Sequence, residues 1–479
     1  MGLLRKRNLD SIQKDGINAN DLKRTLQWYD LIVLGVGVIV GTGIFVLTGI
    51  GAAKYAGPGM VLSFIFAGIT CTFVALAYAE LTSMLSVTGS VYTYTYAIFG
   101  EILAWIVGWA LILEYSLAAA VVSAGWSGYV TLTLKEFGIN VPVVFSTPLF
   151  SGGMMDLPGA LIIAFITVLL VLGTKESVNV SRFLVAIKLL AVFVFLFLAT
   201  PRINPANWDP FLPFGINGIF TGASFAFLSY LGFDMLSNAA EETINPQKNL
   251  PIGIIGSLIV VTILYVIVSA VMTGVVKYTE LDTPAPVSLV LDKIGYHFGA
   301  ALVGTAIIFG LTTVILVSLY AQSRLFLAMS RDGLIPKGLC KLHPRFKTPY
   351  KLTIGSAIII IIAESLMPVS LVAELINIGT LFAFLLASAG IFALRINRPD
   401  LERPFKCPFP FIIMPLAVIF CAYLMYNLSS ITWRFFLIWT IIGILIYLLY
   451  GYWNSRLHRA AKLGEIKHIV QRIRARENQ

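Results

Sequence analysis

Long apolar runs separated by short polar stretches dominate the pattern along the chain. Charged residues, Pro and Gly bound these runs, and most approach or exceed the ~20 residues with which a helix crosses a bilayer. A backbone in lipid must satisfy its own hydrogen bonds, so we predict that each run is helical. The runs lie at about 28–53, 59–84, 97–133, 157–174, 182–200, 216–240, 251–276, 298–328, 351–367, 372–394, 411–428 and 433–453. The pattern therefore predicts an all-α polytopic membrane protein with 12 transmembrane helices.

The composition excludes several classes of protein. Hydrophobic residues make up 58% of the 479 residues and charged residues only 12%, whereas about 25% of an ordinary soluble domain is charged. A soluble enzyme, a disordered chain and a collagen-like chain are therefore excluded. The cysteines show no metal-ligand spacing; they are Cys71, Cys340, Cys407 and Cys421. We expect no disulfide, no metal and no cofactor.

The 34 Lys and Arg residues, which give the chain a net charge of +10, are distributed unevenly. Most fall in segments that 12 spans would place on one side of the membrane, among them 1–27, 324–351, 395–406 and 454–479. The positive-inside rule then predicts a cell-membrane protein with both termini in the cytoplasm. Because the charge lies at membrane edges, we expect lipid headgroups rather than nucleic acid as its partner. The basic tail is predicted to form a helix on the membrane surface.

The spans divide into two halves of five. The first half covers residues 28–200 and the second covers 216–394, with an extracellular linker at 201–215 between them. A loop and two further spans follow at 395–453. We expect segments 1–27 and 454–479 to be the cytoplasmic ends of the chain.

The first helix of each half carries an interruption. Gly41-Thr42-Gly43 stands in the middle of the first run, and Gly is a poor helix former. An unwound turn there frees backbone N–H groups for a carboxylate; close helix packing through Gly37 and Gly41 is the alternative. A dinucleotide-binding fingerprint fails on spacing. The sixth run holds Ser229, Gly232 and Asp234, and paired interruptions of this kind mark the binding site of a secondary transporter.

Several motifs together resemble a known family. They are GTGIF (41–45), AYAEL (77–81), GSVYTYTYAIFGE (89–101), WIVGWALILEY (105–115), YLGFD (230–234), EETINPQKNLPIGI (241–254) and MSRDGLIP (329–336). The chain resembles the amino acid–polyamine–organocation (APC) superfamily, most closely bacterial members of the cationic amino acid transporter (CAT) family. The resemblance implies the LeuT fold, with two inverted five-helix repeats, broken helices 1 and 6, and two extra helices.

The resemblance also implies where an amino acid binds. The backbone N–H groups around Gly41, Thr42 and Gly43 would hold the α-carboxylate, with help from the Thr42 hydroxyl. Carbonyls would hold the α-ammonium; they belong to Ile39 and to residues near Leu228 and Leu231. The ends of the half-helices favour the same placement of the two charged groups, since helix N-termini attract anions and C-termini attract cations. Many relatives carry a gating aromatic near position 228, where this chain has Leu228 beside Phe227, so the identity of the extracellular gate stays open.

Lys188 lies in an otherwise apolar stretch of the fifth span. A lysine inside the membrane is costly and indicates function. In proton-coupled relatives a lysine in helix 5 resembles this one, which implies that Lys188 binds the coupling proton. The alternative is a lysine whose long side chain reaches the inner surface, where Arg182 already lies.

Three polar residues in other spans complete the candidate site. Glu114 in the third span is expected to face a cavity, where it would favour cationic side chains or relay protons; a structural hydrogen bond is the alternative. Asp234 would line the inner half of the path and take part in proton coupling, or else cap a helix segment. Ser318 in the eighth span would widen the pocket or contact Lys188, or simply pack against a neighbouring helix.

The sequence predicts secondary active transport of L-amino acids, neutral or cationic, by alternating access and proton symport. The alternatives are an amino acid exchanger or facilitator and a transporter-like nutrient sensor; a channel lacks the expected polar stripe. An intramembrane enzyme is disfavoured because the histidines lie at span edges, in loops or in the tail; they are His297, His343, His458 and His468. The expected partners are the amino acid, protons and the bilayer. The substrate preference, symport versus exchange and the oligomeric state stay open.

Overall fold

The computed structural model describes residues 26–84, 90–136, 138–172, 178–234, 236, 243–336, 338–339, 343 and 349–459. Within these ranges the chain is helical, with no strand beyond two isolated bridges. Most of segment 1–27 and of the tail 454–479 lies outside them. The helices are α1 (Trp28–Ile39), α2 (Thr48–Gly51), α3 (Met60–Met84), α4 (Ser90–Ile98), α5 (Glu101–Glu136), α6 (Leu157–Leu172), α7 (Val178–Ala199), α8 (Gly215–Ala226), α9 (Pro246–Val275), α10 (Pro286–Lys293), α11 (His297–Arg331), α12 (Tyr350–Leu366), α13 (Val369–Asn397), α14 (Pro410–Tyr426), α15 (Ser430–Ile446) and α16 (Tyr452–Asn454).

Seven continuous helical stretches in the described ranges, some of which combine neighbouring helices, are long and apolar enough to cross a membrane. They are Gly43–Met84, Glu101–Lys135, Val185–Arg202, Pro246–Val275, His297–Arg331, Val369–Asn397 and Ser430–Arg459. Three shorter apolar helices accompany them, at Trp28–Ile39, Leu157–Leu172 and Pro410–Tyr426. The prediction of an all-helical polytopic membrane protein is therefore confirmed.

The helix of the third apolar run begins later than the hydrophobicity of the run predicts. The run starts at about residue 97, but α4 ends at Ile98 and α5 begins at Glu101. Between them Gly100 has a φ of +99°, which a residue with a Cβ rarely adopts. The helix therefore restarts after the glycine, although the apolar character continues through it.

The centre of the molecule is built on α5, which packs along α11, α13, α6 and α12. The pairs α3 with α9 and α13 with α14 add further layers. Large side chains on the outer faces remain exposed, among them Phe197, Phe298, Tyr426 and Leu449. Exposed apolar side chains suit a surface surrounded by lipid.

Helix α15 is attached to α5 by tryptophans. Trp105 donates its indole N–H to the Gly443 carbonyl at 2.7 Å, and Trp109 donates to the Trp439 carbonyl at 2.8 Å. Trp439 donates back to the Trp109 carbonyl at 3.0 Å. The rings stack with centroids 5.8 Å apart for Trp105 and Trp109 and 4.5 Å apart for Trp109 and Trp439.

A buried ion-pair network joins α3 to the loop after α13. Glu80 is fully buried and accepts hydrogen bonds from Arg395 at 2.9 and 2.5 Å. Nε of Arg403 lies 3.2 Å from the same carboxylate, and the Cys407 backbone N–H donates to it at 2.9 Å. The carboxylate therefore fixes one end of α3 to a loop more than 300 residues further along the chain.

Candidate functional site

The first apolar run is broken near its middle. Helix α1 ends at Ile39, and Val40 is extended, with a ψ of 96°. Helical structure resumes at Thr42 and continues as a wider helical segment, Gly43–Leu47. The first backbone N–H groups of a helix have no carbonyl partner within it, so the second half-helix directs free donors towards the break.

The sixth run is broken at the corresponding place. Helix α8 ends at Ala226 and tightens into a 3₁₀ turn, Phe227–Tyr230. Leu231 is extended, with a ψ of 146°, and Gly232 has a φ of +111°. The glycine permits a backbone turn that an L side chain would resist.

The two breaks lie against each other. A Cβ built at Gly43 would lie 2.5 Å from the Cβ of Ser229, and one at Gly232 would lie 2.6 Å from Cγ1 of Val38. At Gly41 the nearest contact of such a Cβ would be Val314, at 3.4 Å. Gly43 therefore permits the close approach of the two segments, whereas a Cβ at Gly41 would make only an ordinary van der Waals contact.

Tyr265 on α9 connects the two breaks, and the sequence analysis did not identify it. Its hydroxyl lies 2.9 Å from the Ile39 carbonyl and 2.6 Å from the Ser229 carbonyl. The side chain is fully buried. A single tyrosine in an apolar span is typical of a packed core. The one signal in the sequence was that the hydroxyl, a polar group, falls in the middle of a span and needs a hydrogen-bond partner there.

A partly open cavity of about 170 Å³ lies between the breaks. Nine of the residues predicted for the site line it: Ile39, Gly41, Thr42, Gly43, Glu114, Lys188, Leu228, Leu231 and Ser318. Two do not. Phe227 is fully buried with its ring 6.1 Å from that of Phe384, and Asp234 is buried outside the lining.

Lys188 holds the end of α1. Its side chain is 1% exposed, and Nζ donates to the carbonyl of Gly37 at 2.7 Å and to that of Val40 at 3.3 Å. These carbonyls belong to the C-terminal end of a half-helix, which attracts a cation. The ammonium thus points inward to α1 instead of extending to the membrane surface. A Cβ built at Gly310 would lie 3.3 Å from the Cβ of Lys188, so α11 packs on its other side.

Two buried oxygens of the cavity have no hydrogen-bond partner among the described residues, Oε2 of Glu114 and Oγ of Ser229. Glu114 interacts with Asp234 electrostatically and with the Thr380 hydroxyl by a hydrogen bond. An unpartnered buried acceptor is costly, so a ligand that donates hydrogen bonds would be stabilised there. The remaining wall is mainly aliphatic; it includes Ala118, Val121, Val122, Val314, Val317 and Ile376.

Chemically, the cavity offers a distinct environment for each part of an amino acid. Free N–H groups at the second half-helix suit a carboxylate. Carbonyls at the ends of the first half-helix and of the 3₁₀ turn suit an ammonium. The aliphatic wall suits an apolar side chain.

The chain belongs to the amino acid permease family, whose model matches residues 26–447. It is 46% identical over 462 residues to the branched-chain amino acid permease BcaP of Bacillus subtilis, which is 95% of this chain and 99% of that protein. It is 40% identical to the methylthioribose transporter of Bacillus subtilis, over 95% of this chain and 99% of the relative. It is 38% identical to the cationic amino acid transporter 9, chloroplastic, of Arabidopsis thaliana, over 79% of this chain and 68% of that protein.

These similarities confirm the predicted resemblance to APC transporters. The relatives are named as permeases and transporters, which supports a membrane transport protein in preference to an enzyme.

Proposed function

We propose that this protein is a secondary active transporter that carries neutral, branched aliphatic L-amino acids by proton symport. The observation that carries the proposal is the cavity between two facing helix breaks, with donors at one end, carbonyls at the other and an aliphatic wall. The architecture that we propose is the predicted one. It has 12 transmembrane helices, with inverted repeats at 28–200 and 216–394 and both termini in the cytoplasm of the cell.

The backbone would recognise the part common to all amino acids. The carboxylate would bind the N–H groups of Gly41, Thr42 and Gly43, and the ammonium would bind carbonyls of Ile39 and Leu228. A carbonyl oxygen has two lone pairs, so Ile39 can accept from Tyr265 and from the substrate together. Backbone contacts do not distinguish one side chain from another.

The wall would select the side chain. Branched aliphatic side chains carry no polar group, so they fill an aliphatic cavity of this size without burying an unpaired polar group of the substrate. The name of the 46% identical relative, a branched-chain amino acid permease, supports the same class. Cationic amino acids are the second candidate class, because the unpartnered Glu114 Oε2 would accept a hydrogen bond from a distal ammonium or guanidinium.

Lys188 would couple transport to protons. Its Nζ bonds to the Gly37 and Val40 carbonyls next to the break, so the charged form stabilises the end of α1. Loss of the proton would weaken these bonds and change the position of α1 at the cavity. Substrate and proton would then each affect the binding of the other. An exchanger, a facilitator or a nutrient sensor would not need this coupling.

Uptake into proteoliposomes tests these proposals. Leucine, isoleucine, valine, alanine, arginine and methylthioribose would each compete with labelled leucine, with and without an inward proton gradient. We expect the branched aliphatic amino acids to compete best and the gradient to drive accumulation. Stronger competition by arginine would favour the second class. Uptake of labelled methylthioribose without uptake of labelled leucine would reject amino acid transport.

Lys188→Ala should lose accumulation driven by the gradient but retain leucine exchange. Lys188→Arg should remain charged and show little net uptake. Lys277→Ala, which changes an exposed lysine, is the matched control and should behave as wild type. If Lys188→Ala accumulates leucine like wild type, the proton takes another route, and Glu114 and Asp234 become the next residues to test.

A further inference from the structure

The start of α6 and the end of α12 meet α5 around two buried carboxyl groups outside the central cavity. Asp156 directly precedes α6, and Glu364 lies in the last turn of α12. The residues are 2% and 1% exposed, respectively. Ser127 on α5 completes the group. None of these three residues lines the central cavity.

The carboxyl groups receive different hydrogen bonds. Oδ1 of Asp156 accepts from the Ser127 hydroxyl and, at 3.3 Å, from the Gly159 backbone N–H. Oε2 of Glu364 accepts from the Ser365 hydroxyl at 3.3 Å. Oε1 of Glu364 accepts no hydrogen bond from a donor among the described residues. The two carboxyl groups are neighbours, since Oε1 of Glu364 and Cγ of Asp156 both lie within 3.4 Å of the Cβ position of Gly159.

Gly159 provides the space for this contact. It lies in the first turn of α6, directly below the carboxyl group of Glu364. A Cβ built there would collide with Oε1 of Glu364 and lie 3.4 Å from Cγ of Asp156. Any other residue at position 159 would therefore displace the carboxyl group of Glu364.

Two buried carboxyl groups this close to each other require a proton between them, because two ionised carboxylates repel each other and neither can donate a hydrogen bond. The donors from Ser127 and Gly159 favour the ionised form of Asp156, so the proton is on Glu364. Burial raises the pKa of Asp156 from its ordinary value, while these two hydrogen bonds lower it. The pair thus has one proton and one negative charge.

The other titratable groups on the helices that pack against Asp156 and Glu364 have partners of their own or lie far from the two carboxyl groups. On α5 the Tyr129 hydroxyl donates to the Phe45 carbonyl, and Lys135 is eight residues beyond Ser127, roughly 12 Å along the helix. On α11 His297 bonds to Asp292. Arg331 and Lys351 stand at the opposite ends of α11 and α12. Among the described residues, no Lys, Arg or His forms an ion pair with Asp156 or Glu364.

We propose that Asp156 and Glu364 form a second proton-binding site, which joins the start of α6 and the end of α12 to α5 through one shared proton. The topology proposed above puts this junction on the extracellular side. At low external pH the proton is held and the junction is intact. As the pH rises the proton leaves, two adjacent carboxylates repel each other, and the junction is destabilised.

Thermal unfolding of the full-length protein in lipid nanodiscs tests the site without substrate. Glu364→Gln keeps a donor towards Asp156 at every pH, since an amide N–H does not titrate. From mildly acidic to mildly alkaline pH, we expect the Tm of wild type to fall by roughly 2–4 °C relative to Glu364→Gln. Asp400→Asn, which changes an exposed carboxylate, should follow wild type.

Infrared spectroscopy detects the proton directly. A protonated buried carboxyl group gives a distinct C=O stretching band, which should be present at neutral pH, disappear at alkaline pH and be absent from Glu364→Gln. Recording it in a Glu114→Gln background removes the contribution of the buried carboxyl group that lines the central cavity. An unchanged band in Glu364→Gln, or a wild-type Tm that runs parallel to that of the variant across the pH range, would overturn the proposal.

Discussion

The Tyr265 hydroxyl lies within hydrogen-bond distance of one carbonyl at each helix break, Ile39 and Ser229. Tyr265→Phe removes the single O–H proton that these two carbonyls share and leaves the ring in place. Such a bond contributes about 0.5–1.5 kcal/mol, so we expect leucine affinity to fall by roughly two- to tenfold. Isothermal titration of the purified variant with leucine measures this loss.

Tyr129→Phe is the matched control for Tyr265→Phe. Its hydroxyl donates to the Phe45 carbonyl beyond the break, at 2.6 Å. The control loses one buried hydrogen bond but keeps the Tyr265 hydroxyl between the two breaks, so its leucine affinity should change less. Equal losses in the two variants would show that Tyr265 contributes to stability only.

Ser318 is a small residue of the cavity wall on α11. Ser318→Met would reduce a cavity of about 170 Å³, and the loss of space should disfavour long side chains more than alanine. One methylene group in a pocket changes specificity about tenfold or more, so we expect the arginine-to-alanine competition ratio to fall by about that factor. Ser323→Met makes the same substitution on α11 outside the cavity lining and should leave the ratio unchanged. An unchanged ratio in Ser318→Met would mean that position 318 only packs helices.

At this scale the sequence identified residues whose chemistry is unusual for a membrane span. Lys188 and Glu114 are rare residues in apolar runs, and both line the cavity. Tyr265 was not identified because a buried tyrosine is common.

Phe227 was named because many relatives carry a gating aromatic near position 228, and Asp234 because it follows the break in the sixth run. Phe227 lies in a 3₁₀ turn, which rotates 120° per residue instead of 100°, and its ring packs near Phe384 instead of lining the cavity. The role of Asp234 along the inner path stays a prediction.

At the scale of the element, the two breaks depend on a glycine contact. In Gly43→Ala the new methyl group would lie 2.5 Å from the Cβ of Ser229, so the broken segments must separate. We expect at least a tenfold loss of leucine affinity, because the groups that bind the substrate would move apart. A binding assay on the purified, folded variant measures the effect.

Two other glycines provide the comparison for Gly43→Ala. At Gly41 a Cβ meets only Val314, at 3.4 Å, so Gly41→Ala should cost less affinity. Gly355 lies inside α12 with nothing within 4 Å of its Cβ position, so Gly355→Ala should leave binding unchanged and favour the helix slightly. Wild-type affinity in Gly43→Ala would contradict the close approach.

The elements themselves were largely predictable. Apolar runs locate the helices because the lipid imposes helical structure on them, and Gly41-Thr42-Gly43 located the first break. The start of α5 was not predicted, since hydrophobicity does not report the backbone angle of Gly100. The contact between Asp156 and Glu364 was also not predicted, because it joins residues about 200 positions apart and depends on packing.

At the scale of the whole molecule, the Glu80 network connects distant segments. Glu80→Gln leaves Arg395 and Arg403 without their buried carboxylate, and breaking a buried ion pair typically costs about 3–5 kcal/mol. We expect a clearly lower Tm in detergent. Asp400→Asn removes an exposed ion pair with Arg398 and should change the Tm little. Equal Tm values for Glu80→Gln and wild type would show that the network contributes no net stability.

The stacked tryptophans of α5 and α15 give the protein a built-in optical reporter. The chain has 8 tryptophans, and the rings of Trp109 and Trp439 are 4.5 Å apart. Aromatic rings this close couple their electronic transitions, and the coupling produces paired positive and negative bands in ultraviolet circular dichroism. These bands should vanish when α15 separates from α5. Detachment of a single helix from the bundle can thus be followed by its own chromophores, without any attached label.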